Sequence, residues 1–176
     1  EEDFRQLVMP ALYTGCRYRE LTELIRSEFA RDNGTLLIRE TKSGKPRHVT
    51  LKDDGIDLFG RITTGRASSK RIFTRQDGEG WGKSHQQRPL RNACKHAGIE
   101  PAISFHILRH THASQLATKG VPITVIAAQL GHSDTRITER HYAHLSPSYI
   151  SQTIRENLPR LGLELPNENV DRLTVI

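Results

Sequence analysis

The chain has 176 residues, 26 Lys and Arg against 20 Asp and Glu, and a formal net charge of +6; that length holds one hydrophobic core, and the basic balance favours an anionic partner such as nucleic acid. Cys16 and Cys94 fall in no ligand spacing, which excludes a disulfide framework or a cysteine-rich zinc module. No apolar run reaches the roughly 18 residues that cross a bilayer, and Glu1-Glu2-Asp3 does not open a signal peptide, so a reduced, cytoplasmic protein is expected.

The chain lacks an initiator Met and opens directly into a helical pattern, the expectation being a fragment from which an amino-terminal module is missing. Phe4, Leu7, Val8, Ala11 and Leu12 line one helix face, closed by Thr14-Gly15, with Pro10 arguing against an unbroken helix. A short helix from about Arg19 to Ile25 follows. The period then changes: residues 35–38 and 47–51 read as strands joined by a turn around Lys42-Ser43-Gly44-Lys45, and Asn33-Gly34 adds Glu28-Phe29-Ala30 as a third. Asp53 or Asp54 can cap a helix toward Thr64, after which residues 65–83 are mostly loop. A helix from about Pro89 ends at Gly98. Ser104 caps a helix to about Lys119, Pro122 starts another ending at Gly131, and Asp134 opens a third that carries Tyr142. Ser146-Pro147 opens a fourth to about Leu158, and the pattern fades after Gly162. The fold class is therefore mainly α with a small three-stranded antiparallel sheet, an α+β arrangement in a single domain over residues 1–162 with a tail at 163–176.

His106 and Arg109 are three residues apart in the first turns of their helix, where unpaired backbone donors already favour an anion. His132 follows the helix-ending Gly131, which places its ring at a turn. Arg17 follows Thr14-Gly15-Cys16, with Glu20 three residues on to hold its guanidinium. Tyr142 closes a polar helix with few apolar neighbours. Taken singly, each has an ordinary structural explanation, such as a surface Arg-Glu pair or a packed tyrosine. His106, His110 and His112 raise the idea of a metal, but no HExxH-like acid accompanies them, and no metal or cofactor is expected.

Taken in order, Arg17, His106, Arg109, His132 and Tyr142 make the chain resemble the catalytic domain of tyrosine site-specific recombinases, the phage integrase family. Tyr13-Thr-Gly-Cys-Arg-Tyr-Arg-Glu-Leu21 resembles the segment of the family's first arginine, His106-Ile-Leu-Arg-His-Thr111 its HxxR box, and Leu130-Gly-His132 its third box. Tyr142 falls where the nucleophile belongs, and Lys42 matches the hairpin lysine, with Lys45 competing for that role. Ile107 stands where Asp is frequent, and the ten-residue step from His132 to Tyr142 is one longer than in many members.

The resemblance implies DNA cleavage and rejoining through a 3′-phosphotyrosyl bond on Tyr142, without metal or nucleotide. Arg17 and Arg109 would clamp the phosphate, His106 or His132 would assist the phenol or bind the phosphate, and Lys42 would protonate the leaving oxygen. It further implies site-specific recombination or integration for a phage or other mobile element, and double-stranded DNA as partner. The expected assembly is a homotetramer in the synapse and a monomer when free. Accessory DNA-bending proteins, a nucleoid association and an absent amino-terminal DNA-binding domain complete the expectation. A type IB topoisomerase and a noncatalytic helix-turn-helix DNA binder are the alternatives; the second leaves Arg17, Lys42 and Tyr142 unexplained.

Overall fold

The computed structural model describes residues 2–39, 45–142, 144, 151 and 154–156. The first helix, α1 (Glu2–Thr14), buries Phe4, Leu7, Ala11 and Thr14, the face its spacing predicts. Pro10 lies inside the helix without ending it. The Thr14 hydroxyl donates to the Pro10 carbonyl at 2.7 Å, which keeps that buried oxygen satisfied. Gly15 then reverses the chain at φ +64, and Arg17 takes the position before α2 (Tyr18–Glu23), a little earlier than the helix expected from Arg19.

The three strands are β1 (Phe29–Ala30), β2 (Thr35–Ile38) and β3 (Arg47–Thr50), antiparallel and in the order β1-β2-β3. Leu36 pairs with both Phe29 and Val49, so the alternation of the strands puts Leu36, Ile38 and Val49 on the buried face. The outer edge of β3 is covered by a side chain: Gln129 accepts from the Thr50 amide at 3.0 Å and donates to the Thr50 carbonyl at 2.9 Å. This pairing satisfies an edge that would otherwise be open and ties the sheet to the helix carrying Gln129.

Helix α3 (Asp53–Thr63) follows. Here the expectation of an Asp cap is corrected: Lys52 takes the cap position without a side-chain bond, and Asp53 and Asp54 lie in the first turn, where their charge still complements the helix dipole. The loop after it is irregular, as its composition predicts, but it is not peripheral, because Ile72, Phe73 and Trp81 enter the core. Their spacing matches neither a helix nor a strand, so periodicity gave no sign of this. Fully buried Phe59 meets Phe29 and Phe73 at ring separations of 5.6 and 5.9 Å; truncating a phenylalanine so placed costs about 3–5 kcal/mol.

The remaining helices are α4 (Gln87–His96), α5 (Phe105–Thr118), α6 (Ile123–Leu130) and α7 (Thr135–Tyr142). Ser104 and Pro122 hold the positions before α5 and α6, neither with a side-chain capping bond, so Ser104 is not the side-chain cap expected and Pro122 lies one residue outside its helix. Asp134 does what its position predicts, accepting from the Arg136 amide at 2.9 Å. Ala113, Ala117, Ile126, Leu130 and Tyr142 form a second core cluster among α5, α6 and α7. Beyond Tyr142, residues 151 and 154–156 are helical; the rest of the expected helix from Ser146 and the segment after Gly162 lie outside the described residues.

Candidate active site

Arg109, on the second turn of α5, is 3% exposed. Its Nη1 donates to the Gly15 carbonyl at 2.9 Å and its Nη2 to the Leu130 carbonyl at 2.7 Å. One guanidinium thus joins the turn that leads into Arg17 to the helix end that leads into His132. Three segments distant in sequence are brought together by a planar fork whose geometry lysine cannot reproduce.

Glu20 organises the other arginines. Its Oε2 accepts from the Arg17 backbone amide at 2.8 Å and its Oε1 from Arg17 Nη1 at 2.8 Å. Arg47 on β3 donates to both oxygens, at 3.0 and 2.9 Å. Burial alone would push this carboxyl up, but the Arg47 and Arg17 bonds outweigh it and hold it below the ordinary range. Burial, then the Arg17 charge, pushes the Arg109 guanidinium down to about 10, which leaves it cationic at neutral pH. Arg17, Arg47 and Arg109 together outnumber the Glu20 carboxylate they surround, so the cluster carries positive charge suited to an anion. Cys16, buried beside it, is pushed up to about 11 by burial and by Glu20, and is a neutral thiol rather than a nucleophile.

Helix α7 presents two residues of one face to this cluster. Thr138 and Tyr142 are four apart, hence one above the other. The Thr138 hydroxyl meets His132 Nδ1 at 2.7 Å, and the Tyr142 hydroxyl meets His110 Nδ1 at 2.5 Å. The His106 and His110 rings stand edge to face at 4.7 Å, and His141 approaches His110 at 5.7 Å. Tyr142 is buried at 4% exposure. Burial raises its phenol above the ordinary value, with Arg109 opposing. Burial and the surrounding arginines lower His132 to about 4, and burial with the neighbouring histidine and arginine charges lowers His106. Both rings are neutral at pH 7.

This geometry assembles Arg17, Glu20, His106, Arg109, His132 and Tyr142 in one region, and Lys42 lies outside the described residues. The longer step from His132 to Tyr142 is taken up by α7, whose Thr138 holds His132 while its last residue reaches α5.

The sequence profile of the phage integrase family matches residues 2–148. The chain belongs to that family. Over 140 residues it is 32% identical to a probable integrase/recombinase protein of Methanocaldococcus jannaschii, covering 74% of this chain and 42% of that protein. Over 157 residues it is 31% identical to the integrase of Escherichia phage 186, covering 88% of this chain and 41% of that one. The chain thus spans about two fifths of the length of these curated relatives. Among solved structures, the catalytic domain of bacteriophage HP1 integrase matches with a TM-score of 0.63 and 28% identity, covering 89% of this chain and 92% of that one. A Tn1549 transposon integrase in complex with transposon right end DNA matches with a TM-score of 0.74 over 88% of this chain and 58% of that one; at 17% identity this likeness is one of fold.

Three residues of this integrase-family domain escaped the sequence reading. Arg47 reads as a polar position on a strand edge, and only the spare acceptor capacity of Glu20 hints at it. His110 reads from the sequence only as a metal-ligand candidate, although it lies one turn from His106 and next to Arg109. Thr138 carries the clearest sequence signal, being one helical turn before Tyr142.

Proposed function

We propose that this chain is the catalytic part, over residues 1–162, of a site-specific recombinase or integrase that cuts and rejoins double-stranded DNA. The observation that carries the reading is the Arg109 fork, which binds the Gly15 and Leu130 carbonyls and so sets Arg17 and His132 about a common electropositive cluster beside Tyr142.

In this reading the scissile phosphate is the anion that the positive charge of Arg17, Arg47 and Arg109 attracts. Arg17 and Arg109 offer charged donors to its nonbridging oxygens, where charge is concentrated as phosphorus becomes five-coordinate. His132 and His106, neutral at pH 7, serve as hydrogen-bond donors there. The Tyr142 oxygen attacks phosphorus, the bond to the 5′ oxygen breaks, and a 3′-phosphotyrosyl ester keeps the bond energy for rejoining. The leaving 5′ oxygen needs a proton, for which the family resemblance favours Lys42 over Lys45. An incoming 5′ hydroxyl reverses the step on the same or another strand. A homotetrameric synapse, accessory DNA-bending proteins and service to a phage or other mobile element belong to the same proposal.

A nicked DNA substrate that loses its 5′ fragment on cleavage tests this directly. Wild-type chain should accumulate a covalent adduct without divalent metal, and Tyr142→Phe should bind the DNA but form none. An adduct from Tyr142→Phe would refute the nucleophile. Plasmid relaxation without site preference would favour a topoisomerase, and DNA binding without adduct a noncatalytic binder.

A further inference from the structure

We propose that His110, rather than His106 or His132, is the proton acceptor for the Tyr142 nucleophile. The inference rests on the recombinase reading and adds a catalytic group to it. Its basis is direct contact with the reacting atom: the Tyr142 hydroxyl meets His110 Nδ1 at 2.5 Å. With Nε2 protonated, the neutral ring presents Nδ1 as an acceptor, and the phenol, which has one proton, donates to it.

The surroundings suit this role. An ordinary phenol has a pKa of about 10, and burial raises that of Tyr142 further. Spontaneous ionisation therefore leaves little tyrosinate at neutral pH, and a base within hydrogen-bond reach is required. His110 is held neutral and ready to accept by burial, by His141 on α7, and by its neighbour Arg109. His106 from its own helix and His141 and Tyr142 from α7 form the rings around it. His132 is turned to other work, its Nδ1 being occupied by Thr138.

Because the imidazole is a weaker base than tyrosinate, proton transfer accompanies attack instead of preceding it. The Tyr142 O–H bond breaks toward His110 Nδ1 as the oxygen–phosphorus bond forms, and the phosphorus–5′-oxygen bond breaks as that oxygen is protonated by the general acid. On rejoining, the 5′ hydroxyl returns its proton to the general acid as its oxygen attacks phosphorus, the tyrosine oxygen leaves, and the proton held on His110 returns to that tyrosine oxygen. Atoms and charge balance in both directions.

The test is the rate of adduct formation on the nicked substrate from pH 5 to 9, for wild-type chain and for His110→Asn, whose amide can accept the phenol's hydrogen bond but cannot take its proton. Wild type should lose rate in acid as His110 protonates. His110→Asn should bind DNA normally, form adduct about 100-fold more slowly at pH 7, and gain close to tenfold in rate per pH unit, because hydroxide then replaces the lost base. A rate within threefold of wild type would overturn the proposal while leaving Tyr142 as nucleophile. A slower variant that keeps the wild-type pH profile would also overturn it, making His110 a positioning residue only. Absence of adduct from wild-type chain would overturn the parent reading and this inference together.

Discussion

Arg47 places both its Nη atoms on the two oxygens of Glu20, at 3.0 and 2.9 Å. Its Nε meanwhile donates to the Gln129 carbonyl at 3.1 Å. One strand residue therefore fixes the carboxylate that positions Arg17 and the end of the helix that delivers His132. Glu20 and Arg47 side chains are 3% and 9% exposed, and removing one member of a buried pair costs about 3–5 kcal/mol. Arg47→Met should fall at the lower end, near about 3 kcal/mol, because Glu20 keeps its Arg17 bonds. Urea unfolding measures it; a loss below about 1 kcal/mol would show that the pair is solvated.

The same carboxylate predicts an acid-labile component of stability. Glu20 is held below its ordinary value in the folded state, so it stabilises the fold above the unfolded carboxyl's pKa of about 4.3. This contribution is lost as pH falls through the lower folded value. Unfolding curves between pH 2 and 7 should show Glu20→Gln less stable than wild type at pH 7 and the gap shrinking in acid. A gap that is constant with pH would contradict the assignment.

Gly131 combines two constraints. It ends α6 at φ +69, and an added Cβ would sit 2.7 Å from Arg47 Cδ and Nη1. The left-handed backbone alone costs alanine about 1–2 kcal/mol, and Arg47 would also have to yield. Gly131→Ala should therefore lose more than about 2 kcal/mol in unfolding free energy. In the Arg47→Met background the loss should be smaller, since the clash is with the guanidinium arm. Equal losses in the two backgrounds would show that the backbone strain acts alone.

The order of helices and strands was legible because α1, β2, β3 and α5 through α7 each carry a clear period or a Gly, Pro or Asp boundary. The candidate phosphate ligands were legible through family-like spacing, which needs no knowledge of contacts. Arg47 and His110 were not, for a physical reason: their partners are 27 and 32 residues away, and nothing local marks a guanidinium as buried or an imidazole as facing a phenol. The core role of Ile72, Phe73 and Trp81 was hidden likewise, because an irregular segment buries side chains without a period.

His132 should titrate with a midpoint near 4. Burial lowers it first, then the charges of Arg109, Arg17, Arg47 and His106. Its folded value lies below the unfolded value of about 6.5, so the unfolded chain takes up the proton first. The associated stability is complete above that pH and declines as pH falls from there toward 4. Ring-proton resonances should show His132 unchanged from pH 8 to 6. A bound oligonucleotide phosphate, by offsetting the arginines, should raise its midpoint. A free-protein midpoint at 6.5 would show that the ring is solvated.

Thr138 offers a way to separate ring orientation from ring charge. It is fully buried, and its hydroxyl is 2.7 Å from His132 Nδ1. With Nδ1 so engaged, Nε2 is the nitrogen left to serve a phosphate, and a hydroxyl donating to Nδ1 selects the tautomer with the proton on Nε2. Thr138→Val keeps the shape but removes that bond, at a stability cost of about 1 kcal/mol with some further penalty if Nδ1 stays unsatisfied. The expected result is a mixture of tautomers in the nitrogen chemical shifts of His132, and adduct formation slowed about tenfold with DNA binding retained. Tyr142, one turn further along α7, should keep its contact with His110, so the pH profile of the slower reaction should match that of wild type. A changed profile would mean that the substitution had shifted α7 as a whole. An unchanged rate with mixed tautomers would show that the orientation of His132 does not limit cleavage.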